Sequence, residues 1–192
     1  GTYFVTVGIS HHYHQRAELL IEAGQPAKAM DALQIAESLW PSHDLLKYLQ
    51  GNIYQLTLQE NPQMDPAARK QAFDEAERKL RQAEKLNPWR PQTFVVRGQL
   101  YRQNRDFAGA DWYEKASGSF EQALKIDPRC YDARIFYAQM LLEKGEVQKG
   151  AEVLKMGLRY WYWPDYKMIP YYRLVSSVCR AVGDFSAAAE AE

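Results

Sequence analysis

The densest group of chemically capable side chains is the segment HHYHQ, residues 11–15, which contains three of the four histidines of the chain. If the segment is helical, His11 and His14 lie three positions apart on one face, whereas His12 points elsewhere. Two imidazoles at this spacing can bind zinc, but a usable site needs three or four ligands held by further partners. Because His43 is distant in sequence and no HExxH motif is present, we expect neither a metal site nor another cofactor.

Catalytic patterns are missing from the rest of the sequence as well. It contains no GxSxG, no phosphate-binding GxxxxGK[ST] and no GxGxxG. The carboxylates are scattered on amphipathic stretches such as EAERKLRQAEK, where they face Lys or Arg four positions away. Cys130 and Cys179 show no CxxC spacing, and Cys179 falls on an apolar position, where burial is expected rather than reactivity. We predict that the chain has no catalytic activity of its own.

Composition narrows the class of partner. With 46% apolar and 25% charged residues among its 192, the chain resembles an ordinary folded protein. Its formal net charge is zero, which argues against a nucleic-acid partner because phosphate binding needs a basic surface. No apolar run reaches the roughly 18 residues of a membrane-spanning helix, so we expect a membrane connection only through a longer parent chain. The cysteine usage leaves the cytoplasm and the periplasm both open.

Prolines and glycines divide the sequence into helical stretches. Apolar residues recur three and four positions apart, the period of an amphipathic helix. Three such stretches stop at a proline, which cannot continue a helix: AESLWP at Pro41, AEKLNP at Pro88 and ALKIDP at Pro128. Turns within the stretches are marked by Gly24, Gly145 and Gly183, because glycine suits the left-handed position that closes a helix. The predicted order is helix, short turn, helix and proline stop, repeated along the chain.

The repetition has a period. Residues 10–43 present large, small and turn positions in a fixed order, namely Tyr13, Ala17, Leu20, Gly24, Ala29, Leu33, Ala36 and Pro41. This order resembles the tetratricopeptide repeat, a helix-turn-helix unit of about 34 residues. Related patterns continue, and we place the units at approximately 10–43, 44–90, 91–130, 131–166 and 167–192, the last one truncated. The resemblance implies an all-α fold, a right-handed superhelical array (α-solenoid) of about four and a half helix-turn-helix repeats.

Two units depart from the period. The second contains about 13 extra residues around TLQENPQMDPAARK. The third contains about six extra residues, and both DFAGADWYEKA and SFEQALKIDP resemble second-helix sequence. The close-packed positions are nevertheless kept: Gly51 and Gly98 permit two helices to approach, and Tyr54 and Tyr101 fill the grooves beside them.

In this family the first helices of the units line an inner groove. The resemblance therefore places these side chains in the groove: His11, His14, Glu18, Tyr48, Asn52, Gln55, Gln99, Arg102, Gln103, Gln139, Arg173 and Arg180. Long amides and arginines suit hydrogen bonds to a peptide backbone or a carboxylate, which favours a scaffold that binds a peptide or a partner's helix; a solvated polar face is the alternative. Some members clamp a terminal carboxylate with a lysine–asparagine pair. Asn52 matches the asparagine, but Tyr48 stands where the lysine belongs, so we do not expect that clamp.

The segment RYWYWPDYKMIPYY, residues 159–172, contains seven aromatic residues between the fourth and fifth units. One interpretation is packing, since an irregular connection needs bulk to seal two helix pairs. The other is a recognition surface, because Tyr and Trp bury a large area at low entropy cost. The surface candidates are Trp161, Trp163 and Tyr166, and at least one tryptophan should then be half exposed.

A rival function also agrees with the sequence. The array is similar to the C-terminal repeats that bacterial O-antigen ligases and polymerase-like glycan transferases can carry after their last membrane helix. The apolar opening TYFVTVGIS and the aromatic segment are compatible with such an accessory domain outside the cytoplasm. A third possibility is self-association through the last unit, which stops inside DFSAAAEAE and suggests a piece of a longer protein.

Overall fold

The computed structural model describes residues 2–160 and 168–192, with side chains from residue 6 onward. In these ranges it contains eleven helices and no strand: α1 (Thr2–Glu22), α2 (Pro26–Leu39), α3 (Asp44–Glu60), α4 (Pro66–Leu86), α5 (Pro91–Gln103), α6 (Arg105–Ala108), α7 (Trp112–Ile126), α8 (Tyr131–Glu143), α9 (Val147–Leu158), α10 (Ile169–Ala181) and α11 (Phe185–Glu190). None of the described helices is both long and apolar enough to cross a membrane.

The helices associate in consecutive pairs. The most extensive contacts join α3 to α4, α5 to α7, α1 to α2, α8 to α9 and α10 to α11. The first helices also follow one another, since α3 contacts α5, α5 contacts α8 and α8 contacts α10. The apolar core is accordingly divided into clusters along the chain, as expected for stacked units. The predicted all-α solenoid is confirmed.

Glycine ends several of the first helices as predicted. Gly24, Gly145 and Gly183 have φ of 67°, 77° and 79°. At the first of these, the backbone N–H of Gln25 donates to the carbonyl of Leu20 over 2.8 Å, which satisfies a carbonyl that the end of α1 would otherwise leave open. The short turn that follows reverses the chain into the second helix of the pair.

Two glycines lie where paired helices touch. A Cβ atom on Gly51 would stand 2.7 Å from Cγ of Leu80, and one on Gly98 would stand 2.6 Å from Cε1 of Phe120. Only a residue without a side chain fits at these points, because both partners belong to the buried core. The predicted small positions therefore set the spacing of α3 from α4 and of α5 from α7.

The two insertions take different forms. In the second pair the extra residues lengthen α4, which begins at Pro66 and is capped by Asp65, whose carboxylate accepts from the N–H groups of Ala67 and Ala68 at 3.0 and 3.2 Å. In the third pair they form the short helix α6 and a turn at Gly109 before α7. The two stretches that resemble second-helix sequence therefore do not form two second helices: α7 includes the end of the first and most of the second, and α6 is a single turn before it.

Candidate functional site

Four of the predicted groove residues, Gln99, Arg102, Gln103 and Gln139, line one cavity between the first helices of the second, third and fourth pairs. The cavity has a volume of about 480 Å³, and we call it the central groove. Helices α3, α5 and α8 contribute most of its walls, and α6 contributes one residue. It is lined by Gln59, Gln99, Arg102, Gln103, Arg105, Phe136, Gln139 and Glu143, and Gln55 reaches it through Gln103.

Amide side chains form the floor of the central groove. Gln55 donates from Nε2 to Oε1 of Gln103 over 2.8 Å, which joins α3 to α5. Arg102 donates from Nη1 to Oε1 of Gln99 over 3.3 Å and to Oε1 of Gln139 over 3.2 Å, which joins α5 to α8. Hydrogen bonds therefore connect the side chains of the groove across neighbouring units.

An ion-pair cluster forms one end of the groove. The carboxylate of Glu143 pairs with the guanidinium groups of Arg102 and Arg105, and Arg105 Nη2 lies 2.6 Å from its Oε2. The hydrogen bond from Arg102, together with the second arginine, lowers the pKa of Glu143 although partial burial opposes the change. Arg105 also lies over the ring of Trp112, with 4.3 Å between the guanidinium carbon and the ring centre. This end of the groove therefore holds two positive charges and one negative charge.

Tyr48 and Asn52, which occupy the positions that a carboxylate clamp would use, do not line the central groove. Tyr48 packs against the apolar core, and the guanidinium of Arg90 lies 5.9 Å from the centre of its ring. Burial raises the pKa of the Tyr48 hydroxyl. Asn52 is half-buried one turn further along α3.

The histidines form a separate cluster at the first pair. His14 is only 6% exposed, and its ring centre lies 5.8 Å from that of His11 and 5.9 Å from that of His43. Glu18 Oε1 is 3.4 Å from His14 Nε2, but neither ring nitrogen of His14 makes a hydrogen bond to a described residue. His14, which the sequence predicts as a groove residue, is therefore almost completely buried.

His43 belongs to the cluster although it is distant in sequence. Its ring stacks on Trp40 with 4.2 Å between the ring centres. Burial, together with the nearby His14, Arg90 and His11, lowers the pKa of His43, and Asp44 opposes this change. Within the described ranges, no group of three or more His, Cys, Asp or Glu side chains is arranged to hold a metal ion.

Arg173 and Arg180 lie on α10, far along the chain from the central groove. They line another cavity, of about 620 Å³, together with Tyr172 and Ser176. Arg180 pairs with Glu192, which also accepts from Ser176 Oγ over 2.9 Å. The predicted aromatic surface residues Trp161, Trp163 and Tyr166 lie outside the described residues, so their exposure stays a prediction.

Sequence reasoning missed four residues of the central groove. Gln59 is four positions after Gln55, and Phe136 and Glu143 flank Gln139 at helical spacing, so the face of α3 and of α8 could have indicated them. Arg105 gave no such signal because it belongs to the insertion, where the repeat pattern has no equivalent position.

A more apolar cavity was also not predicted. It has a volume of about 410 Å³ and lies between α2 and α4, with Met30 and Met64 among its walls and Ile53 of α3 at its floor. The lengthened α4 provides its outer wall, since Ala68 and Gln71 belong to the first turns of that helix.

Comparison with known proteins agrees with this architecture. Residues 111–159 match the tetratricopeptide repeat family model, a stretch that includes α7, α8 and α9. No curated protein matches the chain. The sequence match and the fold together confirm the predicted resemblance: the chain contains tetratricopeptide-repeat sequence and folds as a tetratricopeptide-repeat solenoid.

Solved structures of the same fold cover nearly the whole chain. A tetratricopeptide-repeat protein of Thermus thermophilus is similar with a TM-score of 0.67 and 15% identity, over 94% of this chain and 87% of that one. MamA of Desulfovibrio magneticus RS-1 has a TM-score of 0.59 and 16% identity, over 95% and 90%. YrrB, described as having an unusual peptide-binding site, has a TM-score of 0.55 and 15% identity, over 93% and 80%. The fold is one that typically provides extended concave surfaces for other proteins.

Proposed function

We propose that this chain is a protein-interaction scaffold that binds a peptide or a partner's helix in the central groove and performs no catalysis of its own. The observation that supports this most is the convergence of polar side chains from three successive first helices on one cavity of about 480 Å³. A groove that crosses several units suits an elongated ligand better than a compact one.

The side chains of the groove fit the chemistry of a polypeptide. Each glutamine amide offers both donors and acceptors, which matches the alternating N–H and C=O groups of a peptide backbone. Phe136 adds an apolar surface beside Gln139 and Gln99. Because the amides are already held by Arg102 and Gln55, less side-chain freedom is lost on binding than at a solvated surface.

A displayed library of random peptides tests the proposal. We expect selection on the native protein to enrich a family of peptides whose binding is weakened by Gln103→Ala and by Gln139→Ala. The matched control is Gln71→Ala, which removes an amide from the apolar cavity between α2 and α4 and should leave binding unchanged. Enrichment of no peptide, or a loss confined to Gln71→Ala, would contradict binding in the central groove.

The other predicted functions stay predictions. An accessory domain of a bacterial glycan transferase requires a membrane-spanning parent chain, which the full reading frame would reveal. Self-association would appear as a sedimentation coefficient that rises with protein concentration. A coefficient that does not change over a wide range of protein concentrations would count against it.

A further inference from the structure

The ion-pair cluster at the end of the central groove contains more positive than negative charge. Two guanidinium groups, those of Arg102 and Arg105, face the single carboxylate of Glu143. The side chain of Arg102 is only 12% exposed, whereas that of Glu143 is 41% exposed. The side chain of Arg105 is 46% exposed, so the buried member of the cluster is a cation, Arg102, and both Glu143 and Arg105 lie on its open side.

Glu143 occupies a place that does not favour a carboxylate on its own. It is the last residue of α8, where the carbonyl groups of the helix end give the surroundings a partial negative charge. The ion pairs with Arg102 of α5 and Arg105 of α6 therefore offset the unfavourable charge of the helix end at Glu143. An ion pair with this exposure contributes little to stability, so exchange of Glu143 for another carboxylate changes the free energy of folding only slightly.

On the basis of the proposed function, we infer that Glu143 occupies, in the free protein, the position that a carboxylate of the bound partner takes. The partner's carboxylate displaces Glu143 and pairs with Arg102 and Arg105, while the rest of the segment lies along the glutamines. Arg105 hydrogen-bonds through Nε to the carbonyl of Arg102 over 3.0 Å and stacks on Trp112, so it keeps its position when Glu143 leaves. The insertion that contains Arg105 thereby selects acidic partners.

Two substitutions should act in opposite directions on an acidic peptide taken from the displayed library. Glu143→Gln removes the internal competitor and should tighten binding by about tenfold, the change that one hydrogen bond to a charged group commonly makes. Arg105→Gln should weaken binding by about the same factor. The controls are Glu152→Gln and Arg78→Gln, which each remove a charge from an ion pair within one helix, α9 or α4, and should change nothing.

The peptides provide the second half of the experiment. Replacing the acidic residue of a selected peptide by its amide should abolish the advantage of Glu143→Gln. A library displayed inside a coat protein has no free C-terminus, and a second one ends in a free carboxylate. Enrichment in the first format identifies an Asp or Glu side chain as the ligand, and enrichment in the second alone identifies a chain terminus.

The outcomes separate this inference from the proposed function. Peptides that bind in the groove but lack a required carboxylate, or that bind no tighter to Glu143→Gln, would overturn this role of Glu143 and leave the scaffold function standing. Failure of every library to yield a groove binder would overturn both. Circular dichroism of each variant verifies that the fold is intact, as expected for substitutions at the surface.

Discussion

Adding one methyl group at Gly98 should separate the helices of the third pair. A Cβ atom at this position would stand 2.6, 2.7 and 2.8 Å from Cε1, Cζ and Cδ1 of Phe120, whereas ordinary contacts lie at 3.4–4 Å. Phe120 is fully buried and is a rigid ring, so it cannot move aside as the tip of a flexible side chain would. Either the ring leaves its rotamer or α5 moves away from α7.

The magnitude follows from two opposing effects. Overpacking of a core costs about 1–3 kcal/mol, and replacing a helical glycine by alanine stabilises by about 0.5–1 kcal/mol. Gly98→Ala should therefore destabilise the protein by up to about 2.5 kcal/mol. Gly118→Ala is the matched control, because Gly118 is also helical and a Cβ atom there meets nothing within 4 Å. It should stabilise the protein by about 0.5–1 kcal/mol.

Guanidinium unfolding followed by far-UV circular dichroism measures both variants. A Gly98→Ala protein as stable as the Gly118→Ala protein would refute the close approach of α5 and α7. Phe120→Leu extends the test, since the smaller side chain should cost less in the Gly98→Ala background than in the original protein. The difference is the coupling free energy of the two sites. Gly98→Leu should unfold the middle pairs altogether.

Three further predictions concern titration and reactivity. Glu37 accepts hydrogen bonds from Lys47, Lys79 and Gln50. These bonds outweigh burial and lower the pKa of Glu37 from 4.5 to about 2. The stability that the Glu37 carboxylate contributes is therefore present above pH 4.5 and is lost as pH falls towards 2. Such a pKa change corresponds to about 3 kcal/mol, of which solvent screening leaves roughly 1–2 kcal/mol. Glu37→Gln should therefore lower the unfolding free energy by that amount at pH 7 and leave it unchanged at pH values near 2. Because the pKa of His43 is lowered in the folded protein, the unfolded chain takes up the proton first as pH falls, so the unfolding free energy should decrease below about pH 6.5. Urea unfolding at several pH values should show this decrease in the original protein and a smaller one in His43→Phe. An identical pH dependence in the two proteins would contradict the prediction. Burial raises the pKa of the Cys179 thiol, so a disulfide reagent at pH 8 should label it only after unfolding, and rapid labelling of the native protein would contradict its burial.

The sequence predicted those features that a repeated backbone geometry demands. A glycine is required at Gly98 because the helix axes approach closely, and one is favoured at Gly24 because the backbone has positive φ. Such requirements act locally and recur in several units, so a single sequence displays them more than once. The same reasoning located Gln99, Arg102 and Gln139, since residues at equivalent positions of successive first helices face the same side.

Contacts between residues that the repeat does not relate could not be predicted in this way. His43 joins His14 because the turn after α2 brings it back over α1, a consequence of how the first and second pairs stack. A pattern that treats each unit alone contains no information on this contact. Distance in sequence is a poor guide to such a contact, because the chain reverses direction after each helix.

The insertion in the third unit is where the proposed preference for acidic partners can be tested. The repeat positions of α5 supply Gln99, Arg102 and Gln103, a polar surface that many peptides could contact. Helix α6 adds Arg105, whose guanidinium makes the end of the groove cationic and gives Glu143 a second partner. If deleting the extra residues preserved the fold and the preference for acidic peptides, then Arg102 alone would determine that preference. If the preference disappeared while binding along the glutamines remained, the recognition would depend on the part of this chain that is not repeat.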